Sequence, residues 1–205
     1  MLKAKDFRQE AWTKLSGKWG TVAIATLIYF LLTSFCSSMA IIGIGAIASL
    51  LIAGPFTLGF AIMSLAVIRM QNVTIETLFK GFYDFVRSFV LYLINGLLIF
   101  LWSLLLIIPG IIKSLSYAMS YYILTDHPEF SANEARLRSM EMMEGNKWRL
   151  FCLYVSFIGW ILLSFLTFGI LLFWVIPYMY TAVAAFYQSL LAEPPTPQEE
   201  DPFQL

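Results

Sequence analysis

Few residues in this sequence have the type and spacing to do chemistry, and those few point to contact rather than catalysis. A hydrolase needs a nucleophile with a base, a metal, or a pair of carboxylates. The single histidine, His127, sits in Asp126-His127-Pro128. Nothing nearby completes a triad or a zinc site, so it reads as a polar turn residue. Cys36 and Cys152 lie inside apolar runs with no CxxC or metal spacing, and read as small packing residues. The expectation is a chain with no catalytic residue, no metal ligand and no cofactor, and not an enzyme. What remains is basic or neutral polar. Arg136, Arg138, Lys147 and Arg149 could hold anionic lipid headgroups or serve topology alone. Lys113 is the one charge inside a membrane boundary; it can snorkel outward or meet a lipid phosphate or a partner's carboxylate. Asn95, Ser116 and Ser120 stand in apolar segments, where they either bond to neighbouring helices or line a path.

The elements that must position these residues are membrane spans. The chain has 205 residues, 60% hydrophobic and 13% charged, against about 25% charged in a soluble domain. Formal net charge is zero, so no basic field for nucleic acid exists. Apolar runs give six spans, at 19–39, 44–69, 88–107, 109–126, 149–166 and 169–191. The first is too long for a signal-peptide core and reads as retained. Gly54-Pro55 predicts a kink or short re-entrant piece in the second, Pro109-Gly110 a turn before the fourth, and Pro177 a kink in the sixth. Residues 1–192 read as one multi-pass membrane domain. Residues 193–205, acidic and proline-rich, read as a disordered tail.

Three amphipathic helices interrupt the apolar runs. In the first, Phe7, Ala11 and Leu15 recur every four residues, with a Glu10–Lys14 pair opposite. In the second, Ile75, Leu78, Phe79, Phe82 and Val86 form one stripe, which predicts a helix lying in the headgroup plane. The third follows a Ser131-x-x-Glu134 capping box and carries a small-residue face of Ala132, Ala135, Ser139 and Met143, with Arg136 near it and Arg138 paired to Glu134. Basic residues cluster before span one, between spans two and three, and between spans four and five. The positive-inside rule then puts both termini in the cytoplasm of a cell membrane. The fold class is all-α: six transmembrane helices in three hairpins, each preceded by a cytosolic amphipathic helix, with a threefold internal repeat as one reading and the ordinary look of any hairpin-built protein as the other. With Cys36 and Cys152 near opposite surfaces, no disulfide is expected.

A wider set of residues carries a family likeness. Ile108-Pro109-Gly110-Ile111-Ile112, Tyr121-Tyr122-Ile123-Leu124 with Asp126 and Pro128, Glu134-Ala135 with Ser139 and Met143, Gly145-Asn146-Lys147, Gly159-Trp160 and Pro177-Tyr178 resemble the bacterial "domain of unknown function 975" membrane family. That family is similar to the membrane domain attached to some glycerophosphodiester phosphodiesterases. The resemblance implies a multi-pass bacterial plasma-membrane protein and no known activity. The phosphodiesterase catalytic domain is not among these residues, and its chemistry is not carried over. Two functions follow as expectations. One is a scaffold or accessory protein engaging anionic lipid or other membrane proteins. The other is a small transporter or channel-like protein for a lipid or amphipathic solute, its path lined by Ser116, Ser120, Asn95 and Lys113. A polar crevice around span four would favour the second.

Overall fold

The structure is a computed structural model and describes residues 3–38 and 44–192. Among these residues every regular element is helical. In chain order they are α1 (Ala4–Leu15), α2 (Trp19–Ser38), α3 (Ile44–Ile68), α4 (Ile75–Phe79) continued by a 3-10 turn (Lys80–Phe82), α5 (Phe85–Leu105), α6 (Ile107–Tyr117), α7 (Ser120–Asp126), α8 (Ala132–Met142), α9 (Lys147–Val155), α10 (Ile158–Leu166) and α11 (Leu172–Ala192). Six stretches are long and apolar enough to cross a membrane: Trp19–Cys36, Ile47–Ile68, Phe85–Leu105, Ile107–Asp126, Lys147–Leu166 and Leu172–Ala192. The connection at 39–43 and the tail at 193–205 lie outside the described residues.

The spans fall into two groups. Those built on α2, α5 and α9–α10 are only 17, 17 and 22% buried, whereas those built on α3, α6–α7 and α11 are 72, 50 and 56% buried. Even-numbered spans therefore form the interior and odd-numbered spans the lipid-facing shell. The exposed apolar residues of the shell, such as Leu31, Phe100, Leu104 and Phe165, need a hydrocarbon solvent.

The amphipathic helices pack on this interior. Phe7, Ala11 and Leu15 are wholly buried, as their spacing predicts, and Phe7 meets Phe186 of α11 edge-on at 5.3 Å. The second helix departs from expectation. It is one short α-turn and a 3-10 turn, so Val86 drops off the stripe and is 70% exposed. It does not stand free on a surface either. Leu78 is buried, and its carbonyl lies where a side chain on Gly59 of α3 would stand.

Two proline–glycine pairs take up places in the helices that their sequence reading does not give them. Pro55 lies inside a continuous α3, with no re-entrant piece in the described part. Its neighbour Gly54 serves contact: a Cβ there would come within 2.7 Å of the Ser88 carbonyl oxygen of α5. Pro109-Gly110 is no turn. The α5–α6 corner is the extended Leu106, and Pro109 sits in the first helical turn, where a missing N–H costs nothing. Gly110 lets α6 close on α5, since its Cβ would meet Ser103. The real glycine turn joins α10 to α11, where Phe168 and Gly169 both adopt positive φ.

Spans four and five are each broken, and an amphipathic helix supplies the missing hydrogen bonds. Between α6 and α7, Ser139 of α8 donates to the Ser116 carbonyl at 2.7 Å and accepts from the Met119 N–H at 3.1 Å. Between α9 and α10, Arg8 of α1 donates to the Ser156 carbonyl at 2.8 Å. Buried main-chain groups must be paired, so these contacts let the spans bend without penalty.

The capping box of α8 forms as predicted. Glu134 accepts from the Ser131 N–H at 2.7 Å, and the Glu134 N–H donates to the Ser131 hydroxyl at 3.3 Å. Glu134 is thereby spent on the cap, and Arg138 pairs instead with Glu141 at 2.9 Å. Ser131→Ala should destabilise α8 by about 1 kcal/mol and raise proteolysis within 131–144. The Ser131 N–H and hydroxyl also hold the Glu134 carboxyl below its ordinary range. Because the folded value is the lower one, the box contributes fully above the ordinary carboxylate value and fades as pH falls through the folded value. Acid should therefore sensitise wild-type 131–144 to a low-pH protease, while Glu134→Gln should show no such step.

A tyrosine-lined cavity and the ion pair beneath it

A cavity of about 580 Å³ lies among α3, α5, α6, α7, α9 and α11. Six tyrosines line it: Tyr92, Tyr117, Tyr121, Tyr122, Tyr154 and Tyr180. Their positions follow from helix geometry. Tyr117 and Tyr121 are one turn apart across the α6–α7 break, and Tyr154 comes from the peripheral α9. Thr57, Asn95 and Ser114 add short polar groups. None of the described lining residues carries a charge. Gly96 of the shell helix α5 and Ile111 of α6, also lining, are exposed, so the cavity is reachable from the acyl-chain region.

Three of the lining hydroxyls donate to the protein's own backbone. Thr57 donates to Ala53 O at 2.8 Å, Ser114 to Ile111 O at 2.8 Å, and Tyr122 to Tyr180 O at 3.2 Å. Asn95 stands apart: it is 7% exposed, and its Oδ1 is buried with no hydrogen-bond partner. An unpaired buried carbonyl oxygen costs free energy until a donor reaches it.

Beneath the cavity the ends of the three interior spans are tied together. Arg69, just past α3, makes a two-point ion pair with Asp126 at the end of α7, at 2.7 and 2.6 Å. Tyr187 of α11 donates to the same carboxylate at 3.1 Å and stacks on the cavity residue Tyr122 at 5.5 Å. With its amide carbonyl turned toward Arg69, Gln188 accepts from Nη2 at 2.6 Å and Nε at 2.9 Å. The carboxylate raises the Arg69 pKa above its already high value, so the guanidinium stays charged. Other basic residues at this end cap loops. Lys18 donates to Gln71 O at 2.8 Å; Arg87 pairs with Asp84 at 2.7 Å and donates to the Pro128 carbonyl.

The residues singled out from sequence do not converge on one site. Asn95 lines the cavity. Ser116 and Ser120 are buried and spend their hydroxyl protons on nearby backbone, Ser116 on Ile112 O at 2.9 Å within α6 and Ser120 on Tyr117 O at 2.8 Å across the α6–α7 break. Lys113 lies over the Trp102 ring at 5.2 Å. Arg136 bonds Asn133 at 2.7 Å and sits over the ring of Tyr117 at 5.5 Å. Arg138 is with Glu141; Arg149 bonds Asn146 at 2.8 Å and lies over Phe186. Lys147 opens α9. Sequence reasoning missed the tyrosines and the Arg69–Asp126 pair. Cys36 and Cys152 are free.

Six apolar stretches of spanning length, an oily shell and a cavity within it define an all-helical, multi-pass membrane protein. The family model described as "Protein of unknown function (DUF975)" matches residues 1–113 and 103–193, and the chain belongs to that family. The match does not show the expected likeness to the membrane domain of glycerophosphodiester phosphodiesterases. No curated protein and no solved structure matches the chain.

Proposed function

We propose that this protein is a small transporter or carrier for a lipid or amphipathic solute, bound inside the membrane in the tyrosine-lined cavity. The cavity carries this reading. A bundle serving only as a scaffold has no need of a side-open cavity of about 580 Å³ among its inner helices, a size within the roughly 300–1,000 Å³ of small-molecule sites. Its apolar walls suit a lipid chain, and its short polar groups suit a headgroup. In this reading both termini face the cytoplasm of a bacterial cell membrane, with the Arg69–Asp126 pair on that side; the clustering of basic residues in the loops supports the orientation. The reading assigns binding and movement, with no bond made or broken. The second reading is a scaffold that engages anionic lipid or partner proteins through Arg136, Arg138, Lys147 and Arg149. It draws on the exposed Arg138 and Trp148, but the contacts of Arg136 and Arg138 with their own helix favour the cavity.

Gly96→Phe tests the proposal. Gly96 lines the cavity, and a Cβ there meets nothing within 4 Å, so the variant blocks without forcing the fold. Reconstituted wild-type protein should speed the transbilayer movement of acyl-labelled fluorescent phosphatidylglycerol or glucosyl-diacylglycerol, read by dithionite quenching. Gly96→Phe should abolish most of that acceleration. No acceleration of either lipid, or equal acceleration by both proteins, would overturn the reading.

A further inference from the structure

We infer that the cavity selects an amphiphile with an uncharged, polyhydroxylated headgroup, such as a glycosylated lipid, and that Asn95 accepts a hydrogen bond from one of its hydroxyls. This inference rests on the proposed function and narrows it.

Three observations carry it. First, no described lining residue is charged. A phosphate or carboxylate brought into an apolar site needs an arginine or lysine; without one, an anionic head stays in the interface, and a trimethylammonium competitor tests whether the tyrosine faces prefer a cation. Second, the lining is made of hydroxyls that both donate and accept. Thr57, Ser114 and Tyr122 spend their protons on backbone carbonyls, which leaves their oxygen lone pairs; Tyr92, Tyr117, Tyr121, Tyr154 and Tyr180 add phenolic hydroxyls, and Asn95 Oδ1 is buried without a partner. A ligand that completes such a site both donates and accepts, as every hydroxyl of a polyol does. Third, tyrosine suits a sugar ring. Its face meets the ring's C–H surface while its phenolic edge reaches the hydroxyls. The volume of about 580 Å³ leaves room for a headgroup and the first part of a chain.

The test is competition in phosphatidylcholine nanodiscs. A glucosyl-diacylglycerol with a pyrene-labelled acyl chain is followed by energy transfer from the protein's tryptophans. The competitors share dioleoyl chains and differ in headgroup: glucosyl-dioleoylglycerol, dioleoylphosphatidylglycerol, and the cationic dioleoyl-trimethylammonium-propane. The glucosyl lipid should compete best, by about tenfold or more, and Asn95→Leu should weaken it about tenfold, the loss of one neutral hydrogen bond. Thermal stability of Asn95→Leu should hold or rise, because the unpaired oxygen is gone. Gly96→Phe should abolish probe binding and gives a block independent of Asn95. Stronger competition by either charged lipid, or an Asn95→Leu variant as good as wild type, overturns this inference while leaving the proposed function standing. Absence of Gly96-sensitive binding for all three lipids overturns both.

Discussion

Asp126→Leu is expected to be among the most damaging single substitutions in this chain. It strands the Arg69 guanidinium, which the structure holds by a two-point ion pair with Asp126 and by Gln188. Removing one member of a fully buried pair costs about 3–5 kcal/mol, and exposed pairs are worth at most about 1. Arg69 and Asp126 side chains are 33% and 16% exposed, so they fall between. A loss of about 2–3 kcal/mol is expected, or roughly 5–10 °C in the unfolding midpoint of a chain this size. Arg69→Leu should do nearly as much. The double variant should lose less than the sum, because two apolar groups leave no charge unpaired. Tyr187→Phe, which removes one hydrogen bond to the carboxylate, should cost about 1.5 kcal/mol. Thermal unfolding of the four variants in detergent checks this; strict additivity would mean the charges act independently.

Gly59→Ala is expected to be comparably severe, for a steric reason. Its Cβ would stand 2.0 Å from the Leu78 carbonyl oxygen. Gly81→Ala is the reciprocal case, with its Cβ 2.0 Å from the Pro55 carbonyl oxygen. Both obstacles are backbone, so no rotamer change relieves them. Overpacking typically costs about 1–3 kcal/mol, and these should reach the top of that range. Gly96→Ala is the control. It is also helical, but nothing lies within 4 Å of its Cβ, and replacing a mid-helix glycine should gain up to about 1 kcal/mol. The contrast between Gly59 and Gly96 would be absent if glycine mattered only through helix propensity. Protease protection of residues 70–85 provides the readout.

The contrast also shows what sequence could and could not reveal. Hydropathy marks six spans because each must satisfy the same solvent along its length. The Ser131–Glu134 box was legible because both partners lie in one turn, and the Phe7-Ala11-Leu15 stripe because its periodicity is local even though its partner Phe186 is not. Gly54, Gly59 and Gly110 were not, because their role depends on which backbone comes opposite; nothing local separates a glycine that breaks a helix from one that admits a neighbour. The breaks in spans four and five hang on Ser139 and Arg8, which lie far along the chain from the carbonyls they cap. The cavity had a partial signal. Asn95 is conspicuous as an amide in an oily run, but Ser116 and Ser120 are equally conspicuous and turn to their own backbone. The tyrosines that surround Asn95 come from five helices, and no spacing rule joins them. Arg69 and Asp126 carried a faint sign: opposite charges, each closing an interior span.

Under the proposed function, the cavity among the tyrosines holds a ligand drawn from the bilayer. The most direct measurement places the photo-cross-linker benzoylphenylalanine at Tyr154, within the cavity, and separately at Phe165, which is 76% exposed on the shell. Each protein is irradiated in native membranes, and the adduct masses are read. Tyr154 should capture one class of amphiphile, enriched over its abundance in the membrane and lost when Gly96→Phe is added. Phe165 should capture the bulk lipid mixture whether or not Gly96 is changed. The same bulk mixture at both positions, indifferent to Gly96, would leave the cavity without an occupant and overturn the carrier function.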